Sequence, residues 1–403
     1  MSERRLVAGT ADRAARHPSL RFALVAGGGT AGHLEPALAV AEALVDAGHS
    51  RDGIEFVGSR RGQDETALAG RGFPVTLLAG RGIVRRLRLR DLAADVVAIA
   101  ELVTAFVAAV RLVRRLHPRV VVSVGGYASV APSAAAVLLR VPLVLVNVDA
   151  VPGAANRLFG HMARASAVGW PGTPLPRAVV TGTPVRPSIS AVVRDVATRA
   201  AARRSLGLPE DVPVVGVFGG SLGARRINEA ACELVSEWRD RSDRAIFHVV
   251  GRRDWPVGGD PTPAAGGPMV RRVPYEEHME LLYAAVDVMV CRAGAMTVAE
   301  LAVTGCPAVL VPLPGAPGDH QTANARVLER AGGARILPDP DCDGPTLRRL
   351  LDELLADGAR LAAMGRAAAD LGRRDAAAAG ARLVEAHARP ASGCADGEVS
   401  HGR

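Results

Sequence analysis

Short apolar runs alternate with helix-length segments along almost the whole chain, and that alternation limits the fold more than any other feature. In the first half the runs are Phe22–Ala26, Ile54–Val57, Val75–Leu78, Val120–Val124, Leu143–Val146 and Val179–Thr181. In the second half they are Val214–Phe218, Ile246–Val250, Met269–Val273, Val288–Val290, Ala308–Val311 and Arg335–Leu337. Six runs in each half, mostly separated by helix-period segments, predict an α/β protein with two doubly wound parallel sheets. The first run of each half leads into a glycine-rich turn, Gly27-Gly-Gly-Thr-Ala-Gly-His33 and Gly219-Gly-Ser-Leu-Gly-Ala-Arg225. A glycine turn between strand and helix lets backbone N–H groups approach a phosphate, with the helix N-terminus behind them. Two such turns suggest two domains facing each other across a cleft, an arrangement suited to transfer chemistry on a phosphorylated donor.

With 49% hydrophobic but only 3% aromatic residues, the core has to be built from Ala, Val and Leu, as in buried parallel sheets. The chain has no lysine, so P-loop, Schiff-base and kinase-type lysine chemistry is excluded. The net charge of +8 favours anionic partners without choosing among nucleotide, nucleic acid and membrane surface. Cys232, Cys291, Cys306, Cys342 and Cys394 are scattered and form no CxxC pair, which points to a reducing cytoplasm rather than a disulfide or zinc framework. The arginine-rich start lacks the apolar core of a secretory signal, and the apolar stretch Leu92–Val110 carries Asp95 and Glu101, as a helix rather than a bilayer span would.

The expected organisation is a disordered extension over 1–20, a first domain over 21–186 and a second over 187–372. The proline- and glycine-interrupted segment from Gly182 to Ser188 marks the link. An alanine-rich helix over 373–388 is long enough to return to the first domain, and 389–403 reads as a disordered tail. Leu34, Leu38, Ala41 and Val45 form one apolar helical face closed by Gly48, with Pro36 placed in the first turn.

Gly27-x-Gly29-x-x-Gly32 matches the dinucleotide fingerprint, and Arg60 and Arg61 after the next strand would suit a 2′-phosphate, so an NADP reading stays open. His33 argues against it. An imidazole beside the last glycine can take a proton from an alcohol, although a helix-start histidine can also serve backbone alone. Ser221 offers hydroxyl and amide to a phosphate oxygen. Cys291-Arg-Ala-Gly-Ala-Met-Thr-Val-Ala-Glu300 opens a helix whose free N–H groups, Ala295 to Thr297, form an anion seat. Glu300 can accept ribose hydroxyls or act as a capping glutamate. Gln321 and Asn324, three apart at the next helix start, suit sugar hydroxyls or capping. Gly125-Gly-Tyr-Ala-Ser129 closes a strand towards the same cleft. Arg186 at the hinge can counter a diphosphate or remain a solvated charge.

Together the motifs GGGTAGHLEPALA, GGYASVAP, GTPVR, GGSLGA, CRAGAMTVAE and HQTANA resemble the bacterial UDP-N-acetylglucosamine:lipid I N-acetylglucosaminyltransferases of peptidoglycan synthesis, the MurG family, from about Arg21 to Ala388. The resemblance implies a GT-B fold of two Rossmann-like domains, with the donor held mainly by the second. It places Thr30, Ala31 and Gly32 at the donor sugar and phosphate, and Arg186 and Ser221 at the diphosphate. Ala295, Met296, Thr297, Val298, Ala299 and Glu300 would bind the nucleotide, and Gln321 and Asn324 the sugar. His33, Gly125, Gly126, Tyr127, Ser129 and Asn156 would lie on the acceptor side. Where the family has an asparagine on the donor, this chain has Asp149, which cannot donate as an amide does and rivals His33 as base. Leu222 replaces the family's glutamine in the second turn.

Between Arg81 and Arg90, Ile83, Val84, Leu87 and Leu89 are interleaved with arginines that include Arg85 and Arg86. Such a stretch is a solvated basic loop or a bilayer-docking patch, and the resemblance favours docking. The expected protein is thus an inverting transferase at the cytoplasmic face of the cell membrane. It would move N-acetylglucosamine from UDP-GlcNAc to the 4-hydroxyl of the muramyl sugar of lipid I, giving lipid II. No cofactor, essential metal or nucleic acid is expected, and other cell-wall synthesis proteins are possible partners. The acidic trio Asp339, Asp341 and Asp343 reads as surface. A related transferase with another lipid or secondary-metabolite acceptor, an NADP oxidoreductase and a non-catalytic membrane scaffold are the alternatives.

Overall fold

The structure, a computed structural model, describes residues 21–28, 31–59, 68, 70–78, 92–220, 223–255 and 265–390, with backbone alone at 31 and 92–100. Thr30, Ser221, Leu222 and the whole Arg81–Arg90 stretch with Ile83, Val84, Arg85, Arg86, Leu87 and Leu89 lie outside the described residues, as do 1–20 and 391–403.

The first sheet contains β1 (Ala23–Gly27), β2 (Ile54–Ser59), β3 (Val75–Leu78), β4 (Val120–Gly125), β5 (Leu143–Asn147), β6 (Ala165–Val168) and β7 (Ala178–Val180). The second contains β8 (Val214–Phe218), β9 (Ala245–Val249), β10 (Met269–Val273), β11 (Val288–Cys291), β12 (Ala308–Leu310) and β13 (Ala334–Ile336). All pairings are parallel, in the orders β3-β2-β1-β4-β5-β6-β7 and β10-β9-β8-β11-β12-β13. In each sheet the order reverses beside the first strand, so crevices open between the ends of β1 and β4 and between those of β8 and β11. Ligands of doubly wound sheets bind at such switch points.

Continuous apolar runs form the central strands because both faces are covered by helices. One of the described strands, β6, escapes the hydrophobic reading. Its Ala-Ser-Ala-Val sequence has little β propensity, and it is a strand because it is buried between β5 and β7.

The described helices are α1 (Ala31–Asp46), α2 (Leu92–Leu116), α3 (Val130–Leu138), α4 (Ala154–Phe159), α5 (Pro187–Ser190), α6 (Val196–Ser205), α7 (Arg225–Glu237), α8 (Met279–Ala285), α9 (Ala295–Thr304), α10 (His320–Arg330), α11 (Gly344–Leu355), α12 (Gly358–Leu371) and α13 (Ala376–His387). Helix α1 begins three residues before Leu34, which moves Pro36 from the first turn into the second. With no N–H at Pro36, the Gly32 carbonyl lacks its helical donor.

Helix α13 lies against the first domain. Ala381 and Val384 belong to the core that contains Val25, Leu38 and Val122, and His49 and Glu385 meet at 2.9 Å. Arg389, read from sequence as part of the tail, is held, since its N–H donates to the Arg119 carbonyl at 2.9 Å. Trp170, ahead of the expected link, and Val185, within it, pack in the second core with Phe218 and Tyr283. No helix among the described residues is long and apolar enough to cross a membrane.

Candidate active site

Every described motif lies at the carboxyl end of a parallel strand. His33 is the third residue of α1, at the mouth of the first crevice. Its ring occupies the space that Gly126, just after β4, leaves open. A Cβ on Gly126 would stand 2.9 Å from His33 Cδ2 and 3.0 Å from the Gly28 carbonyl oxygen, and Gly126 has φ +75°. Only glycine meets both demands. The other members of this turn shape it from behind. The Ser129 hydroxyl donates to the Gly126 carbonyl at 2.9 Å, and the Tyr127 hydroxyl donates to Ser59 Oγ at 2.5 Å. Ser129 and Asn156 are buried. Both shape this turn from behind.

A chain of carboxamides connects this turn to the second domain. The Asn156 amide lies against Gly125 and donates to Asn147 Oδ1 at 3.0 Å, and Asn147 donates to the Asp149 carbonyl at 2.6 Å. The Asp149 carboxylate in turn accepts from Asn324 Nδ2 at 2.9 Å. Asn324 also donates to the Ala293 carbonyl at 3.3 Å and accepts from the Ala150 N–H at 2.8 Å. Asn324 is wholly buried. Its N–H groups and an oxygen lone pair are used, so it clasps the two domains together instead of presenting an amide to a sugar. Asp149, the rival base, is the other half of that clasp. Gln321 accepts from the Leu313 N–H at 3.0 Å through its carbonyl oxygen.

In the second domain, α9 starts at Gly294 with no side-chain cap and no acid in its first turn. The N–H groups of Ala295, Met296 and Thr297 therefore have no intrahelical acceptor, and the helix end carries partial positive charge. Val298 and Ala299 are buried and seat the helix. Glu300 is half-buried and accepts from the Tyr283 hydroxyl at 2.9 Å. Burial pushes its carboxyl up to about 6. The Tyr283 hydrogen bond and the charge of Arg186 oppose that rise, and Glu35 on α1 adds to it. Glu35 lies two residues beyond His33, so the electrostatic field of the first crevice reaches the second. Arg186 caps the start of α5 and also bears on Glu280.

Behind the second glycine turn lies a buried network. A Cβ on Gly223 would come within 2.8 Å of Asp254 Oδ2. Asn228 donates to Asp254 at 3.1 Å and to the Val250 carbonyl at 3.0 Å, and its Oδ1 meets His248 Nε2 at 2.9 Å. Both Asn228 protons are committed, so His248 must donate through Nε2. Burial, with the charge of Arg272, drops its pKa to about 3. Asp339, expected at the surface, pairs with Arg292 next to the α9 motif, and Asp343 caps α11. Among the described residues no group of three His, Cys, Asp or Glu side chains is placed to hold a metal ion. Sequence reasoning did not reach Tyr283, Glu35, Asn147 or the His248 network. Their partners come from other strands and helices, and only the acidic residue two positions after His33 was visible as a signal.

Residues 23–168 match the glycosyltransferase family 28 N-terminal domain and residues 214–379 the family 28 C-terminal domain. The UDP-N-acetylglucosamine--N-acetylmuramyl-(pentapeptide) pyrophosphoryl-undecaprenol N-acetylglucosamine transferase of Acidothermus cellulolyticus is 39% identical over 368 residues, covering 90% of this chain and 96% of the relative. The protein of the same name from Nocardia farcinica is 40% identical over 378 residues, covering 91% and 96%. Among solved structures, MurG of Acinetobacter baumannii superposes with a TM-score of 0.72 at 27% identity, covering 91% of this chain and 99% of that one. The calicheamicin glycosyltransferase CalG4 gives 0.63 at 17% identity, covering 92% and 99%, a likeness of fold alone.

Proposed function

The chain belongs to the family of UDP-N-acetylglucosamine--N-acetylmuramyl-(pentapeptide) pyrophosphoryl-undecaprenol N-acetylglucosamine transferases, and from that premise we propose that it makes lipid II from lipid I and UDP-GlcNAc. It is a UDP-GlcNAc-dependent glycosyltransferase of GT-B fold. Membership sets aside the NADP and scaffold readings of the first glycine turn.

The observation that carries the mechanism is the approach of the two crevices. Glu35, two residues beyond His33 on α1, adds to the rise of the Glu300 carboxyl, and the Asp149–Asn324 clasp joins loops of the two domains. His33 takes the proton of the muramyl 4-hydroxyl as that oxygen attacks the anomeric carbon from the face opposite UDP. Attack from that face inverts the anomeric centre. Charge developing on the leaving diphosphate is met by N–H groups at the start of α9, by the second glycine turn with Ser221, and by Arg186. Glu300 accepts from the ribose, and Gln321 donates to the sugar. Asp149 is the alternative base, although one oxygen of its carboxylate is taken by Asn324.

We assign the enzyme to the cytoplasmic face of the membrane as a peripheral protein, because its acceptor is lipid-linked and the Arg81–Arg90 stretch combines apolar and cationic side chains. Release of UDP from UDP-GlcNAc, measured with and without lipid I and with EDTA present, tests the reading. Release that requires lipid I and survives chelation is expected. Release with other acceptors only would transfer the enzyme to a different pathway.

A further inference from the structure

One oxygen of the Glu300 carboxylate is already engaged before any nucleotide arrives. Tyr283 is fully buried in α8, and its hydroxyl donates to Glu300 Oε2 at 2.9 Å. Its ring packs edge-on against Phe218, centroids 6.5 Å apart at 82°, so the hydroxyl is aimed by the core and cannot swing elsewhere. A carboxylate offers about four lone-pair sites. Tyr283 fills one and fixes the carboxylate plane, leaving Oε1 and the second site of Oε2 for other donors. We propose that Tyr283 is a positioning residue for nucleotide recognition, orienting Glu300 so that its remaining lone pairs accept from the ribose hydroxyls of a bound nucleoside diphosphate. The inference rests on the reading of Glu300 as the ribose contact.

The phenol has a second consequence, because Glu300 can accept from ribose on both oxygens only when it is ionised. The groups facing it are Tyr283 from α8, Arg186 ahead of α5, Glu35 from α1 and Cys291 at the end of β11, with Glu280 beside Arg186. Burial drives the carboxyl towards its neutral form, and the Tyr283 hydrogen bond and Arg186 restrain it. Removing the phenol leaves Arg186 to hold the charge, so the group should titrate at higher pH.

The test is calorimetric titration of UDP and of 2′-deoxy-UDP into the full chain, as wild type, Tyr283→Phe and Glu300→Gln, from about pH 5.5 to about pH 8.5, bracketing the ordinary reach of a shifted carboxyl. Tyr283→Phe keeps the ring that packs on Phe218 and removes only the hydroxyl. It should weaken UDP about tenfold near neutrality, the usual scale for a hydrogen bond to a charged group. It should weaken 2′-deoxy-UDP less, and it should move the midpoint of the pH dependence upwards. Glu300→Gln should flatten that dependence. If Tyr283→Phe keeps the wild-type midpoint and ribose preference while Glu300→Gln loses both, the positioning role is wrong and the ribose contact stands. If Glu300→Gln keeps both, the ribose contact itself is wrong.

Discussion

In the first domain the crevice between β1 and β4 holds an imidazole lying against Gly126; in the second the crevice between β8 and β11 holds an uncapped helix end with a half-buried carboxylate one turn inside it. The strand orders around the two crevices are the same. Topology therefore supplies two equivalent places to bind, and side chains alone divide the work. One place carries an imidazole, a side chain suited to general acid–base chemistry. The other carries fixed dipoles and an acceptor, which suit gripping a nucleotide. Support also differs. Behind His33 the space is made by the absence of a side chain at Gly126, whereas behind the second turn it is filled by Asp254, Asn228 and His248.

The sharpest way to break this division is His33→Ala. Loss of a general base costs about 10²–10⁴ in turnover, and UDP affinity, which belongs to the other domain, should stay at the wild-type level. Turnover and calorimetric affinity measured on one preparation decide it, since a parallel fall in both would mean the two crevices are not separate. Glu300→Gln should do the converse, weakening UDP by about 1–3 kcal/mol. It should also stabilise the protein. A carboxyl raised from 4.5 to about 6 in the folded state contributes stability that is present below pH 4.5 and lost as pH rises through 6. At pH 8 or so the ionised group is a net cost of about 1 kcal/mol after discount for its partial exposure. Gln removes that cost and can still accept from Tyr283. An unchanged or lower urea midpoint at that pH would show that the carboxylate is not strained by burial.

Gly126→Ala asks how far the first crevice depends on an empty seat. The added methyl meets the His33 ring and the Gly28 carbonyl in a left-handed backbone conformation, at a cost of about 1–3 kcal/mol. Turnover should fall with stability. Gly48→Ala after the far end of α1, with φ +99° and nothing within 4 Å, is the control for backbone strain alone. Equal losses of turnover in the two variants would mean that the imidazole does not need its seat.

The strands and the glycine turns were legible because apolar runs and phosphate turns are local patterns. What could not be read was set by partners distant in the chain. β6 has no propensity of its own and exists because two neighbours bury it. Asn324 carries the composition of a sugar reader, but its amide meets Asp149 from the other domain, a pairing that no spacing reveals. Tyr283 looked like core because it is core, with only the last atom of its side chain acting on the site.

The smallest predicted effect concerns the filled side of the comparison. His248 is buried with a pKa of about 3, so it is neutral as it donates through Nε2 to Asn228. Unfolded, it takes up a proton near its ordinary value of 6.5. A folded-state value below the unfolded one means stability that is complete above 6.5 and declines as pH falls towards 3, by at most about 1.4 kcal/mol per pH unit. Between pH 6.5 and pH 5 this one group should therefore cost about 2 kcal/mol. In His248→Gln the amide NH2 can replace the imidazole N–H towards Asn228, and the side chain does not titrate. The variant should match the wild type within about 1 kcal/mol at neutral pH, as volume-conserving buried replacements do, and should overtake it near pH 5. Urea midpoints at the two pH values measure the crossing. Parallel decline of both proteins would mean that the histidine is solvated or paired in its charged form, and the second turn would then rest on a support as open as the first.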